Sequence, residues 1–291
     1  MKKNSRSNPL ETVMHTLFFL CGFIAVTFVL LITIYLIISG LPAIREIGLW
    51  KFLFGKTWAS TNKTDPQFGI LPLMLTSIYG TAGAIVLGVP VGVLTAVFLS
   101  KVASHRVAAV IRPAVDLLAG IPSVVYGLVG MMLLLPFIRT HFNLAVGDSL
   151  LAAILVLAVM ILPTVISGAE TALSAVPKEY EEGSLALGAT EIETYFRVSA
   201  PAARSGIAAA VVLGIGRAIG EAMAILMVAG NVANMPSLLS SVKFLTTAVA
   251  GEISYSAGLQ RQALFSIGLV LFLFILMINV LLNFVLKRER K

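Results

Sequence analysis

The sequence has a single cysteine, Cys21, and it lies inside an apolar run. No internal disulfide can form, and a small buried hydrophobe is all that its setting asks of it. The three histidines, His15, His105 and His141, are scattered without metal-ligand spacing. Charge is scarce too: 12% of the 291 residues are Asp, Glu, Lys or Arg, against roughly 25% in a soluble domain. With 58% hydrophobic residues and a mean hydropathy of +0.97, the chain would precipitate in water, so the bilayer is its solvent. No G-x-x-x-x-G-K-[ST] stretch exists, so the chain cannot cradle a nucleotide by a P-loop. It also lacks a nucleophile–base constellation, a metal cluster, internal repeats and low-complexity linkers. That absence argues against an enzyme and for a single transmembrane domain.

What is present is a set of long apolar runs. A spanning helix needs about 20 mostly apolar residues, and six stretches meet this: 17–38, 70–99, 113–138, 150–175, 206–229 and 263–286. Lys2, Lys3 and Arg6 precede the first, as they would a secretory signal. The run is longer than the ~7–15 residues of a signal core, so it is expected as a retained span. The net charge of +7 does not mark a nucleic-acid surface, because the basic residues lie between apolar spans. They set orientation instead. One side holds Lys2, Lys3, Arg6, Lys101, Arg106, Arg112, Lys178, Arg197, Arg204, Lys287, Arg288, Arg290 and Lys291; the other holds Arg45, Lys51, Lys56, Lys63, Arg139, Lys243 and Arg261. A bias of 13 to 7 predicts both termini in the cytoplasm.

The expected layout is a cytoplasmic N-terminal segment at 1–16, a transmembrane domain at 17–286 and a basic cytoplasmic tail at 287–291. Within the domain, 40–69 is expected as an external interfacial segment and 176–204 as a cytoplasmic loop. In the external segment Ile44, Ile47, Trp50, Leu53 and Phe54 fall near one helical face. With Trp50 and Trp58, the only tryptophans, they predict a short helix in the outer headgroup layer.

The cytoplasmic loop is the most polar interruption between apolar runs, and it reads as two short helices joined at a glycine. Pro177 opens the first, Gly188 ends it in a left-handed cap, and Thr190 with Glu193 forms a capping-box pattern for the second. Ile192, Tyr195 and Phe196 share a face at helical spacing. The result is a rigid knob rather than a tether.

Two of the runs are interrupted. Pro122 and three glycines weaken the helix over 117–130, which is either a packing kink or part of a pathway. Gly80, Gly83, Gly88 and Gly92 in the second run are close-packing positions. The fifth run carries Arg217 near its middle and Glu221 four residues on, sharing its face. Gly216 and Gly220 between them would let another helix approach. Charges at that depth face a partner or a watery cavity. They are therefore a buried salt bridge holding helices together or a pathway site for an anion, whose oxygens suit the guanidinium fork.

The order Glu182, Gly183, Ser184, three residues, Gly188, nine residues, Val198 and then Pro201 resembles the EAA loop of ABC-importer permeases. It departs from that pattern only by small or apolar exchanges at Gly183, Ser184, Val198 and Ala200. FGILPLMLTSIYGT at 68–81, LLAGIPSVVYGL at 117–128, GRAIGEAMAILMVAGN at 216–231 and TTAVAGEISYSAGLQRQAL at 246–264 extend the likeness to the PstC-type phosphate permease family.

That resemblance implies an all-α integral membrane protein of the inner bacterial membrane, with six transmembrane helices in the type I importer (MetI-like) permease fold. It implies half of the translocation pathway of an ATP-driven phosphate importer, with Arg217 and Glu221 in the pathway. Glu182, Gly183, Ser184, Gly188, Ala189, Val198 and Pro201 would form the docking surface for a separate ATPase. The partners would be a PstA-like second permease, a PstB-like ATPase dimer that binds ATP and Mg, and a PstS-like external phosphate-binding protein. No cofactor, metal or nucleic acid belongs to the chain itself. Molybdate or sulfate are alternative solutes. A secondary anion transporter or channel is a second class, though such folds often carry internal repeats. A membrane enzyme or scaffold, a third, would want a polar catalytic cluster at one face.

Overall fold

The computed structural model describes residues 9–62 and 64–288. Lys2, Lys3, Arg6, Lys63, Arg290 and Lys291, which count toward the predicted orientation, lie outside them. The chain opens with one long helix, α1 (Pro9–Ile47), which starts earlier and ends later than the expected first span. A short helix, α2 (Leu49–Phe54), and a two-stranded antiparallel hairpin, β1 (Trp58–Ala59) with β2 (Gln67–Phe68), follow. α3 (Leu71–Val97) crosses the bundle and runs into a π-helical turn, Phe98–Val102.

The third expected span, 113–138, is corrected by the structure. A helix α4 (His105–Gly120) precedes a break at Ile121 and Pro122, and the apolar helix beyond it is α5 (Ser123–Val129), a π turn and α6 (Leu135–His141). Pro122 lacks an N–H and pushes Ile121 out of the helical region, which is the physical reason for the break. α7 (Leu150–Ser174) returns through the centre.

Next come the knob helices α8 (Lys178–Ala186) and α9 (Glu191–Thr194), a π turn at Tyr195–Ser199, and α10 (Ala200–Ala202). The fifth span is also broken, into α11 (Arg204–Gly220) and α12 (Met223–Val228). α13 (Leu245–Glu252) and the last span, α14 (Gly258–Arg288), complete the chain. Five of these helices are long and apolar enough to cross a membrane; α11 is the sixth when joined to the segment Glu191–Ala202, from which it bends by 72°.

α7 is the axis. It packs along α3 on one side and α11 on another, while α1 and α14 pair at the periphery. Lipid tails are as apolar as leucine, so helices associate here by close packing rather than by escape from water. The glycines of α3 serve that packing: a Cβ at Gly83, Gly88 or Gly92 would come within 2.7–2.8 Å of Ile154, Ile161 or Val165 on α7. Gly40 meets α14 in the same way, and the Ser266 hydroxyl donates to the Gly40 carbonyl at 2.6 Å.

At one end of the bundle a second core gathers Ala43, Phe52, Trp58, Phe68, Ile70, Leu245 and Leu264. The two tryptophans part company there. Trp50 is 75% exposed and stacks on Phe54, as an interfacial anchor would, but Trp58 is 8% exposed and packs edge-on against Phe68. Ile44, Ile47 and Leu53 turn into this core rather than share a face with Trp50.

Candidate functional site

At the other end of the bundle stands the knob. Pro177 is the N-cap of α8, one position before its first helical residue. After α8 the chain turns at Gly188, whose φ of +88° is left-handed, and the Ala189 N–H donates back to the Ser184 carbonyl at 3.3 Å. Thr190 then caps α9 by a reciprocal box. The Glu193 N–H donates to the Thr190 hydroxyl at 3.3 Å, and the Thr190 N–H donates to the Glu193 carboxylate at 3.1 Å. Those bonds and the nearby Arg197 hold Glu193 below the ordinary carboxylate range. The hydroxyls of Ser184 and Thr194, 2.9 Å apart, tie the two helices together. The helix–Gly–helix knob expected from the spacing is therefore present.

Its outer surface sets apolar side chains among charged ones, with Glu179, Glu182 and Glu191 exposed on the same helices. Leu187 at the turn is 91% exposed, and Tyr180, Leu185, Ile192 and Phe196 are also exposed. Of the predicted face of Ile192, Tyr195 and Phe196, Tyr195 departs: it packs toward the cluster of Ala96, Leu173 and Val176. Tyr195 keeps its α-helical bond to the Glu191 carbonyl, and at about 100° per residue it stands round the helix from Phe196, on the inner edge of the face. Of the predicted docking residues, Glu182, Gly183, Gly188 and Pro201 are exposed, whereas Ser184, Ala189 and Val198 are half-buried within the knob.

The second candidate region is the pair of broken spans. α5 and α12 lie side by side, so close that a Cβ on Gly127 would fall 2.9 Å from the Ala224 Cα. Both begin at a break inside the bundle. Irregular backbone at membrane depth survives only if its polar groups are answered locally, and they are. The Tyr126 hydroxyl donates to the Leu118 carbonyl at 2.7 Å across the first break. At the second, the Thr246 hydroxyl donates to the Glu221 carbonyl at 2.7 Å, and the Glu221 carboxylate accepts the Ala224 N–H at 2.9 Å.

This geometry corrects the predicted Arg217–Glu221 relationship. α11 stops at Gly220, Glu221 is extended (φ −71°, ψ 131°), and the two residues do not share a helical face. Ala222 is the N-cap of α12, and the Glu221 carboxylate, one residue earlier, serves the first turn of that helix through the Ala224 N–H. Among the described residues no carboxylate lies within ion-pair distance of Arg217. Arg217 is half-buried and within electrostatic reach of Tyr126. Among the described residues, nothing beyond their own helix lies within 4 Å of a Cβ added at Gly216 or Gly220, so no described helix makes the approach expected there.

Three polar contacts have no counterpart in the sequence motifs. Lys101 in the π turn after α3 pairs with Glu181 of α8 at 2.5 Å. Arg112 of α4 pairs with Glu170 of α7 at 2.6 Å. At the opposite end Glu252 accepts from Lys243 at 2.5 Å, Ser60 at 2.8 Å and the Trp58 indole at 3.1 Å. Burial raises the Glu252 carboxyl, but the Lys243 hydrogen bond and charge, with Ser60 and Trp58, outweigh it and hold the group below its usual range. A separate hollow of about 550 Å³ between α3, α5 and α7 is lined by Leu87, Tyr126, Val159 and other uncharged groups, which makes it no anion site.

Comparison with known proteins agrees with this architecture. The family model of the binding-protein-dependent transport system inner membrane component matches residues 88–291. The probable ABC transporter permease protein YqgH of Bacillus subtilis is 39% identical, over 90% of this chain and 87% of that one. The phosphate transport system permease protein PstC of Haemophilus influenzae is 33% identical, over 85% and 87%. PstC 1 of Mycobacterium tuberculosis is 34% identical, over 84% and 83%. Among solved structures, the MetNI methionine ABC transporter in an inward-facing conformation aligns with a TM-score of 0.56 at 21% identity, covering 76% of this chain and 94% of that one, a likeness of fold.

Proposed function

We propose that this chain, which belongs to the family of inner membrane components of binding-protein-dependent transport systems, forms half of the translocation pathway of an ATP-driven importer of inorganic phosphate. It is a permease subunit rather than an enzyme, and an ATPase and a substrate-binding protein complete the machine. The observation that carries the choice of solute is the run of phosphate permeases at 30–34% identity over most of the chain, joined to an Arg217 that has no carboxylate within ion-pair distance among the described residues. An intramembrane guanidinium without a counter-ion has a deficit that a passing oxyanion fills.

In this reading the knob faces the cytoplasm with both termini, as the lysine and arginine bias favours. Its apolar tip, Leu187 with Ile192 and Phe196, seats in a groove of a PstB-like ATPase dimer, which binds ATP and Mg. Glu182, Gly183, Ser184, Gly188, Ala189, Val198 and Pro201 shape that contact. A PstA-like permease supplies the other half of the pathway, and a PstS-like protein delivers phosphate at the end that carries the β-hairpin.

Uptake of radiolabelled phosphate by proteoliposomes holding the full complex tests the solute. Phosphate entry that requires ATP, and that a large excess of sulfate or molybdate does not inhibit, is the expected result. Inhibition by molybdate or sulfate at phosphate-like concentrations would move the assignment to another oxyanion.

A further inference from the structure

The polar contacts at the knob end form one connected chain. Glu181 lies in α8 four residues before Leu185, where the Leu185–Leu187 tip begins, and its carboxylate turns toward the two π turns. It accepts from the Ser199 hydroxyl at 2.8 Å and pairs with Lys101 at 2.5 Å. Lys101 and Ser199 each stand in a π-helical turn, the first closing α3 and the second joining α9 to α10. One carboxylate therefore holds together the two places where the spans enter the knob. The Lys101 and Glu181 side chains are only 11% and 19% exposed, so water screens the pair little.

The same turn after α3 is gripped from the membrane side. Arg112 donates to the Leu99 carbonyl at 3.4 Å and to Glu170 of α7 at 2.6 Å. Beyond it, α3 is continuous for 27 residues and is set into α7 by its glycines. A displacement of α8 thus meets, in order, Glu181, Lys101, the π turn and the packed α3–α7 pair. π turns are a common feature of helices at functional positions.

We propose that the Lys101–Glu181 pair is the strut through which the knob moves the α3–α7 core, so that ATPase motion reaches the pathway by this contact. The proposal rests on the knob being the ATPase docking site. Lys101 and Glu181 are positioning residues: neither touches ATPase or solute, and their work is to make α8 and the end of α3 move as one body. A pair that merely stabilised the knob would affect docking and transport together, whereas a strut affects transmission alone.

The test uses the complete importer in proteoliposomes, with Lys101→Gln, Glu181→Gln, the charge swap Lys101→Glu with Glu181→Lys, and Leu187→Asp at the knob tip. Three quantities are read: ATPase retained in a pull-down, ATP hydrolysis with and without phosphate-loaded binding protein, and phosphate uptake. Each single variant is expected to keep ATPase retention within twofold of the parent. Stimulation of hydrolysis by the loaded binding protein should be lost, and uptake should fall at least tenfold. The swap should recover uptake to within about threefold. Parental uptake in both single variants, loss of the ATPase from them, or a swap no better than the singles would each overturn the strut. Leu187→Asp separates the two readings. If it leaves ATPase retention unchanged, the docking assignment fails; if it abolishes retention while the single variants transport normally, only the strut fails.

Discussion

The Glu221 carboxylate accepts the backbone N–H of Ala224 at 2.9 Å, and so belongs to the helix that follows it rather than to Arg217 in the helix before. Two charges four residues apart in an apolar run look like a buried pair; the break at Gly220 gives them separate work. Capping by a side-chain oxygen contributes roughly 0.5–2 kcal/mol, and Glu221→Ala should cost the complex that order of stability. Arg217→Gln should cost little stability, because among the described residues no carboxylate is left unpaired by it. With no shared contact, the two effects on stability should add to within about 0.5 kcal/mol, as measured by the thermal midpoints of the single and double variants. A coupling energy well beyond that would restore the salt bridge.

Gly188 tests the knob without touching its surface chemistry. A Cβ there has nothing within 4 Å, so Gly188→Val is opposed by backbone conformation alone. At φ +88° a left-handed L-residue costs roughly 1–2 kcal/mol, and β-branching adds to it. ATPase retention should drop several-fold in Gly188→Val and much less in Gly188→Asn, while membrane insertion stays normal in both. Equal retention in the two variants would mean that the turn conformation does not matter to docking.

The knob was legible in the sequence because its signals are local. A glycine that needs positive φ, and a threonine followed three residues later by glutamate, name their own geometry. The α3 glycines were legible for a similar reason, since small residues at helical spacing have one common use in a membrane. The breaks were harder to read. Hydropathy runs unbroken through 206–229, and only Gly220 beside a charge hinted that the helix stops there. The Lys101–Glu181 pair joins residues 80 positions apart, and the Trp58–Glu252 bond joins residues 194 apart. No spacing rule reaches those distances, so the sequence places Trp58 at the headgroups, whereas the half-buried Glu252 carboxylate holds it. Tyr195 sits at the edge of the face that Ile192 and Phe196 share, where helical spacing alone does not decide between solvent and the core of Ala96, Leu173 and Val176.

The Glu252 network predicts an acid sensitivity with a definite sign. Its carboxyl titrates below the ordinary value of 4.5 in the folded protein, so between the two values the unfolded chain binds more protons. The stability it supplies is complete above 4.5 and is lost as pH falls through the lowered folded value. Thermal midpoints measured from pH 7 down to 3 should fall more steeply in the parent than in Glu252→Gln. Parallel curves would show that this carboxylate, with Lys243, Ser60 and Trp58 around it, does not contribute to the acid response.

The α3–α7 contact makes a packing prediction. Gly88→Leu places a branched side chain where a Cβ alone would sit 2.8 Å from Ile161, and overpacking of this kind costs about 1–3 kcal/mol or more. The yield of folded complex should fall sharply. Gly216→Ala faces open space within the chain and should leave the yield of this subunit unchanged, as size-exclusion of the detergent-solubilised protein would show.

The account turns on Arg217 meeting the transported anion. The most direct measurement is the initial rate of radiolabelled phosphate uptake by the reconstituted importer with Arg217, Arg217→Lys and Arg217→Gln, each checked for retention of its partner subunits. Assembly should be equal in all three. Uptake should be strongly reduced in Arg217→Lys, which keeps the charge but loses the planar fork, and absent in Arg217→Gln. Phosphate uptake at the parental rate by a fully assembled Arg217→Gln importer would contradict it.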